Sequence, residues 1–381
     1  MSKAVFSSDF TLGILGGGQL GKMMLYHTRK YDIRTKVMDP NPHAPARLAC
    51  DEFVVGDIQD AGAVAAFGQD CDLVTLEIEA VSLEGLFRLR QRNIKVYPDD
   101  DTLELIVNKS RQKDFYVQHD MPTSAHTNYM DRQSIPTDLH YPVVWKAATG
   151  GYDGNGVQIL KSDEDRNALP DIPCLIEEAV DIGLELAVIV ARSSNGEIKT
   201  YPVVEMEFHP TANQVEYVIC PARIPDRIAE TARAIALDVS DKMKHVGLLA
   251  VELFLTKEGK LLINEVAPRP HNSGHYSIEG SFTDQFDQHI RAILGLPLGA
   301  TSSKVPAVMV NLVGAQDHTG PVRYEGLEDA MQLRGVIPHI YGKKETRPFR
   351  KMGHVTIIDE DIDEARHTAS KVKKMVRVVS R

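Results

Sequence analysis

Two carboxylates interrupt apolar strands in the middle of this chain, and their chemistry is the first question the sequence poses. In VELFLTKEGKLLINEVAPRP, Glu252 breaks a hydrophobic run, while Glu265, beside Asn264, ends its return partner across a turn at Gly259. Burying an unpaired carboxylate costs several kcal/mol, whereas an exposed ion pair contributes about 0 to 1 kcal/mol. Two such groups converging on one face would suit a hard divalent cation, Mg²⁺ or Mn²⁺, that also takes phosphate oxygens. Side chains alternate along a strand. Glu252 and Glu265 therefore share a face if the turn has an even number of residues, for example residues 256–259, and an odd loop without a bulge would separate them.

Further groups of the same kind lie on either side. APRPHNSGH carries Arg269, His271, Asn272, Ser273 and His275 on a loop that Pro268 and Pro270 keep out of helix. A guanidinium and an imidazole held there could stabilise charge and move protons. Lys146 sits in the apolar run VVWKAA, just ahead of TGGYDGNGV with Gly150, Gly151, Gly154 and Gly156. An inward lysine needs an anion, and so glycine-rich a loop can turn its amides onto phosphates; a flexible hairpin loop is the alternative. It is not a P-loop, because no GK[ST] follows. Gly16, Gly18 and Gly21 form GxGxxG between a strand and a helix, with Asp39 about 20 residues further on, which taken alone reads as a dinucleotide site. Tight turns in any doubly wound domain also favour glycine. Near the carboxyl end, Lys343, Lys344, Arg347, Arg350, Lys351 and His354 are opposed only by Glu345. This stretch is either a solvated charged loop or a phosphate-binding one.

Placing these groups takes a scaffold of two or three domains, which 381 residues allow. Hydrophobic residues at 43% and charged residues at 25% fit a globular chain. The net charge of -10 gives no overall attraction to nucleic acid or an anionic membrane, so neither is expected as a partner. Cys50, Cys71, Cys174 and Cys220 are widely separated, without a CxxC pair, so no zinc or disulfide framework is expected. The first residues lack a long apolar signal segment, and a cytoplasmic location is the expectation. From Thr11 to about Tyr97, β-rich runs alternate with helical ones, predicting an α/β parallel sheet. Residues 141–266 are strand-rich with one helix near residues 226–246, predicting an antiparallel α+β unit. Beyond a loop near 295–306, strands resume and a helix closes the chain. The expected limits are 1–100, 101–297 and 298–381.

Taken in order, GILGGGQLGKM, VVWKAATGGYDGNGVQ, VELFLTKEGKLLINEVAPRPHNSGHY and KKETRPFRKMGH resemble the 5-(carboxyamino)imidazole ribonucleotide synthase family of ATP-grasp enzymes. The resemblance spans nearly the whole chain, and NEVAPRPHNSGH is its most specific part. It implies an amino-terminal Rossmann-like domain that binds no NAD, a two-half ATP-grasp domain and a small carboxy-terminal domain. It also implies ATP- and bicarbonate-dependent carboxylation of the exocyclic amine of 5-aminoimidazole ribonucleotide through carboxyphosphate, in purine biosynthesis, by a homodimer. The ATP contacts it implies are Lys109 (or Arg111), Lys146, Gly151, Tyr152, Asp153, Gly154, Asn155, Gly156, Val157, Glu177, Glu178, Ala179, Val180, Glu185, Glu205, Asn264 and Glu265. Glu252 and Glu265 would hold Mg²⁺. Arg269, His271, Asn272 and Asp153 would be catalytic. Gly18, Gln19, Leu20, Tyr152, Lys344, Arg347, Arg350 and Lys351 would meet the ribonucleotide. The rivals are a formate-dependent glycinamide ribonucleotide ligase, a biotin carboxylase, an NAD-dependent oxidoreductase resting on GxGxxG, and a non-catalytic nucleotide sensor.

Overall fold

The computed structural model describes residues 3–150, 156–209 and 214–381. Gly151, Tyr152, Asp153, Gly154 and Asn155, all expected at the site, lie outside the described residues. The amino-terminal unit runs β1 (Thr11–Leu15), α1 (Gln19–Lys30), β2 (Arg34–Asp39), β3 (Glu52–Val55), α2 (Ala61–Gly68), β4 (Leu73–Leu76), α3 (Leu83–Gln91) and β5 (Lys95–Tyr97). Its strands form the expected parallel sheet in the order β3-β2-β1-β4-β5. Continuous apolar runs suit strands buried on both faces. Leu12 and Ile14 pack with Met24 and Leu25 of α1, while Leu15 and Leu76 join Val64 of α2 and Leu86 of α3.

Next come α4 (Asp100–Val107), α5 (Lys109–Gln118), β6 (His126–Tyr129), β7 (Val143–Ala147), β8 (Val157–Leu160), α6 (Asp163–Asn167) and β9 (Cys174–Glu178). The four strands form an antiparallel sheet, β6-β9-β7-β8. The chain continues as β10 (Ile182–Arg192), β11 (Ile198–Thr200), β12 (Val204–Phe208), β13 (Val215–Cys220), α7 (Asp226–Met243), β14 (Gly247–Thr256), β15 (Leu261–Ala267), α8 (Ser277–Gly280) and α9 (Gln285–Leu294). It closes with β16 (Ala307–Val313), β17 (Gly320–Glu325), α10 (Leu327–Ala330), β18 (Val336–Ile340), β19 (Glu345–Thr346), β20 (Lys351–Ile358), α11 (Ile362–Met375) and β21 (Arg377–Ser380). The chain therefore ends on a short strand after its last helix, not on the helix.

A nine-stranded sheet runs β15-β14-β10-β12-β13-β16-β20-β18, with β11 on β10. It continues from β13 into β16 across the loop at 295–306. Helix α7 lays Ala232, Ala236 and Val239 against Leu186, Val188, Leu249 and Val251, and its small residues allow close approach to the sheet. Phe286, Ile290 and Ile293 of α9 enter the same core as β1 and α1, so the amino-terminal unit is packed against the middle of the chain. No helix among the described residues is long and apolar enough to cross a membrane.

Candidate active site

The β14–β15 hairpin corrects one expectation and keeps its consequence. Backbone bonds from Thr256 to Lys260 and from Gly259 to Thr256, both 2.8 Å, close the turn around residues 257–259. That loop is odd, not even, and Gly259 supplies the positive φ of 84° that a three-residue turn needs. Near the turn Leu255 faces Leu261 and Leu253 faces Ile263, but further along Val251 faces Val266. A β-bulge therefore sets Asn264 and Glu265 together against Glu252 and reverses the phase of the strand. The burial pattern carries the same mark: half-buried Asn264 and Glu265 are adjacent between buried Ile263 and Val266. Asn264 Nδ2 lies 3.4 Å from Glu252 Oε2.

On the neighbouring strand Ala187 pairs with Glu252, so Glu185, two residues along, falls on the same face. Burial, then Glu265 and Glu185, raise Glu252 above its ordinary range. Burial, then Glu265, push Glu185 up to about 7. Burial would raise Glu265 as well, but Lys109, with Lys146 and His271, holds it below the usual range. Among the described residues no set of three His, Cys, Asp or Glu side chains is arranged for a metal. Two carboxylates would be the protein's share, which is what a cation shared with phosphates needs.

Lys109 begins α5, its N–H donating to Ala148 O at 2.8 Å and its ammonium to Glu265. Arg111 instead pairs with Glu104 on the surface at 2.5 Å, so Lys109 is the cation facing the site. Lys146 has the anion its buried position demanded. Val144 pairs with Glu177 across β7 and β9, which puts Lys146 and Glu177 on one face, and Nζ lies 3.0 Å from Oε1. It also donates to Asn264 Oδ1 at 3.1 Å. A third lysine, Lys113, was missed, although its spacing of one helical turn from Lys109 was a readable signal. It is 2% exposed and lies 3.4 Å from the other Glu177 oxygen. Lys109, Lys113, Lys146, Glu177, Asn264 and Glu265 line one cavity.

The loop after β15 joins this cluster. Arg269 Nε is 2.9 Å from Glu79 Oε2 in the amino-terminal unit. Ser273 N–H donates to His271 Nδ1 at 3.3 Å, which leaves the proton of neutral His271 on Nε2, 3.5 Å from Glu252 Oε1. Buried Gln285 holds the loop: it accepts from His271 N–H at 2.8 Å, donates to His271 O at 2.9 Å and bonds His275 Nδ1 at 2.8 Å. Asn272 is 9% exposed. His275 stacks on His354, which stacks on His339, at 4.6 and 4.4 Å between centroids. The stack ties the loop to β18 and β20, whose connection is the basic stretch. There Lys351 is close enough to lower Glu252, and Arg350 Nη1 donates to Glu345 O at 2.7 Å. Lys344 and Arg347 are exposed.

Other expected residues are placed differently. Glu205 pairs across strands with Leu186, so it faces away from Glu185 and Glu252, and it is bound to Arg223 at 2.7 Å. Glu178 is exposed, its N–H donating to Ala125 O at 2.9 Å, and half-buried Ala179 and Val180 follow it. Gly156 and Val157 lead into β8, with Gly156 O accepting from Ala147 N–H at 2.8 Å. In the glycine loop, the N–H groups of Gly18, Leu20 and Gly21 donate to the Glu77 carboxylate at 2.7, 3.0 and 2.9 Å. Asp39 accepts from Gly17 N–H at 2.7 Å. An internal acid thus takes the N–H groups of Gly18 and Leu20, the residues expected at the ribonucleotide. Gln19, between them, is half-buried.

With this geometry in hand, the comparisons agree with one another. Residues 10–107 match the ribonucleotide synthetase preATP-grasp domain, 114–286 the ATP-grasp domain and 307–368 the phosphoribosylaminoimidazole carboxylase C-terminal domain. The chain is 38% identical to the N5-carboxyaminoimidazole ribonucleotide synthase of Synechococcus elongatus, over 91% of this chain and 89% of that one. It is similar to the crystal structure of the Thermotoga maritima synthetase of the same name, with 42% identity, TM-score 0.89 and coverage of 98% and 100%. It is also similar to the Aspergillus clavatus synthase solved with ADP and 5-aminoimidazole ribonucleotide, with 30% identity, TM-score 0.88 and coverage of 96% and 98%.

Proposed function

The chain belongs to the N5-carboxyaminoimidazole ribonucleotide synthase family of ATP-grasp enzymes, and from that premise we propose which of its residues do each part of the work. Its activity is the ATP-dependent carboxylation of 5-aminoimidazole ribonucleotide to N5-carboxyaminoimidazole ribonucleotide, a step of purine biosynthesis. The observation that carries the residue-level reading is the meeting of Lys109 and Lys146 with Glu252, Asn264 and Glu265 on adjoining strands.

Lys109 and Lys146 bind the phosphates of ATP. The oxygen donors Glu252 and Glu265, with Asn264 beside them, fit Mg²⁺ or Mn²⁺, because a cation there would offset the burial and the neighbouring acids that raise Glu252. When bound, the ion supplies neutralisation of phosphate charge. Bicarbonate is held by Arg269, with Asn272 alongside, and its oxygen attacks the γ-phosphorus in line, releasing ADP and forming carboxyphosphate. The exocyclic amine then takes the carboxyl carbon, inorganic phosphate leaves, and the amine proton passes to His271 or to Asp153. Gly151, Tyr152, Asp153, Gly154 and Asn155 cover the labile intermediate, with Gly156 and Val157 as the loop's far end. Backbone groups of Glu177, Glu178, Ala179 and Val180 meet the adenine, and Glu185 meets the ribose. Gln19 and the basic residues Lys344, Arg347, Arg350 and Lys351 receive the ribonucleotide. The proposal extends to a cytoplasmic homodimer with domains 1–100, 101–297 and 298–381.

The test is phosphate release from ATP with and without 5-aminoimidazole ribonucleotide and bicarbonate. Release that needs both is expected. Stimulation by formate with glycinamide ribonucleotide instead would overturn the reading. Arg269→Met is expected to lower kcat far more than ATP affinity, and unchanged turnover would remove Arg269 from the mechanism.

A further inference from the structure

We propose that Lys113 is the standing counter-ion of Glu177, the group that lets Lys146 leave that carboxylate for the phosphates of ATP. The inference rests on the reading of Lys146 as a phosphate contact. Glu177 is 3% exposed, with Oε1 at 3.0 Å from Lys146 and Oε2 at 3.4 Å from Lys113. One buried carboxylate needs one cation, so with Lys113 beside Glu177 the second cation, Lys146, is available to other anions, and it already acts on Glu265.

The surroundings of the two lysines decide which one moves. Lys113 Nζ is fixed by neutral oxygens, Thr123 Oγ1 at 2.7 Å, Ser124 Oγ at 2.9 Å and Ile263 O at 3.4 Å. Ser124 in turn donates to Glu177 Oε2 at 2.8 Å, so Lys113, Ser124 and one carboxylate oxygen form a closed set. Among the described residues Lys146 has one neutral partner, Asn264 Oδ1, on the side of Glu252 and Glu265. When Lys146 turns to a phosphate, Glu177 keeps Lys113 and no buried charge is left alone. Without Lys113, the same movement would strand a desolvated carboxylate, so Lys146 would stay where it is. Burial, with a smaller contribution from Lys146, lowers Lys113 to about 8 against the pull of Glu177.

Lys113 is thus a positioning residue acting through Glu177, and a four-variant comparison isolates that route. ATP dissociation constants are measured calorimetrically for Lys146→Met, Lys113→Met, Glu177→Gln and the double variant Lys113→Met/Glu177→Gln, with thermal melts of each. Lys113→Met should weaken ATP at least about tenfold while the KM for the ribonucleotide stays within about twofold. The double variant should recover to within about threefold of Glu177→Gln, since Lys113 has no task once the acid is neutral. Should Lys113→Met fail to fold, that second comparison still decides. Normal ATP binding by Lys113→Met, or a double variant much weaker than Glu177→Gln, overturns the proposal alone. Normal binding by Lys146→Met overturns it together with the phosphate reading of Lys146.

Discussion

The glycine loop at the start of α1 and the lysine cluster around Lys146 both hold carboxylates of the protein itself. They differ in what does the holding. Glu77 is gripped by three backbone amides and is 8% exposed, and those amides cannot turn elsewhere without unwinding the first turn of the helix. Added bulk is refused as well: a Cβ on Gly18 would lie 2.4 Å from a Glu77 oxygen. Glu177 and Glu265 are held by lysine ammoniums on flexible stems, which can change partner by rotating bonds. At one end of the chain a sequence motif for phosphate binding holds the protein's own acid on backbone amides, while the proposed nucleotide contacts are side chains able to exchange.

The sharpest break of that comparison is in function. Lys146→Met should lower kcat/KM for ATP on the order of 10²- to 10³-fold, with little change in unfolding midpoint, because Lys113 still serves Glu177. Initial-rate kinetics beside urea unfolding would check this, and an intact kcat/KM would end the phosphate role of Lys146. Glu77→Ala should do the reverse. Two buried amides and one half-buried one lose their acceptor, and stability should fall by about 3 kcal/mol. The fraction that folds should turn over within about threefold of the parent, since no proposed contact to ATP is removed. A Glu77→Ala protein of normal stability and no activity would show that the loop is still a ligand site.

Much of this layout is legible in the sequence. The parallel sheet and the strand-rich middle follow from residue periodicity, which is local, and Lys146 announced itself as a cation in an apolar strand. What stayed hidden depends on partners distant in sequence. The bulge at Asn264 and Glu265 arises where β14 and β15 fail to keep one register, and the hairpin alone gave only a parity rule. Glu77 at the end of β4 reads as an ordinary acid until the glycine loop, 56 to 59 residues away, is folded over it. Glu205 looked like a site acid until its strand register turned it to the other face.

Acid–base behaviour sharpens the contrast further. Glu185, pushed up to about 7 by burial and then by Glu265, is protonated in the folded chain over a range where the unfolded chain has already ionised. Its contribution is therefore complete below the ordinary glutamate range and is lost as pH rises through about 7. Stability of the ligand-free protein should decline between about pH 5 and 7.5 by at most ~1.4 kcal/mol per unit from this group. Urea unfolding over a pH series should show that slope in the parent and a flatter one in Glu185→Gln. Equal slopes in the two proteins would mean that Glu185 is not desolvated.

The smallest effect is the most specific to an exchanging site. Glu252 is raised by burial and by two neighbouring carboxylates, whereas Glu77, also raised by burial, is offset by the amides of Gly21 and Gly18. Glu252→Gln removes one charge of the crowd and keeps the shape and the bond from Asn264. The ligand-free protein should become more stable, by about 1 kcal/mol, while losing turnover and the stabilisation that Mg²⁺ with ATP gives the parent. The corresponding change in the amino-terminal unit, Glu77→Gln, should lower stability, because both Glu77 oxygens accept backbone N–H groups and a carboxamide NH₂ would oppose one set of donors. Opposite signs for one chemical substitution would separate a carboxylate kept for a ligand from a carboxylate kept for the fold; two losses of similar size would place Glu252 among the structural acids.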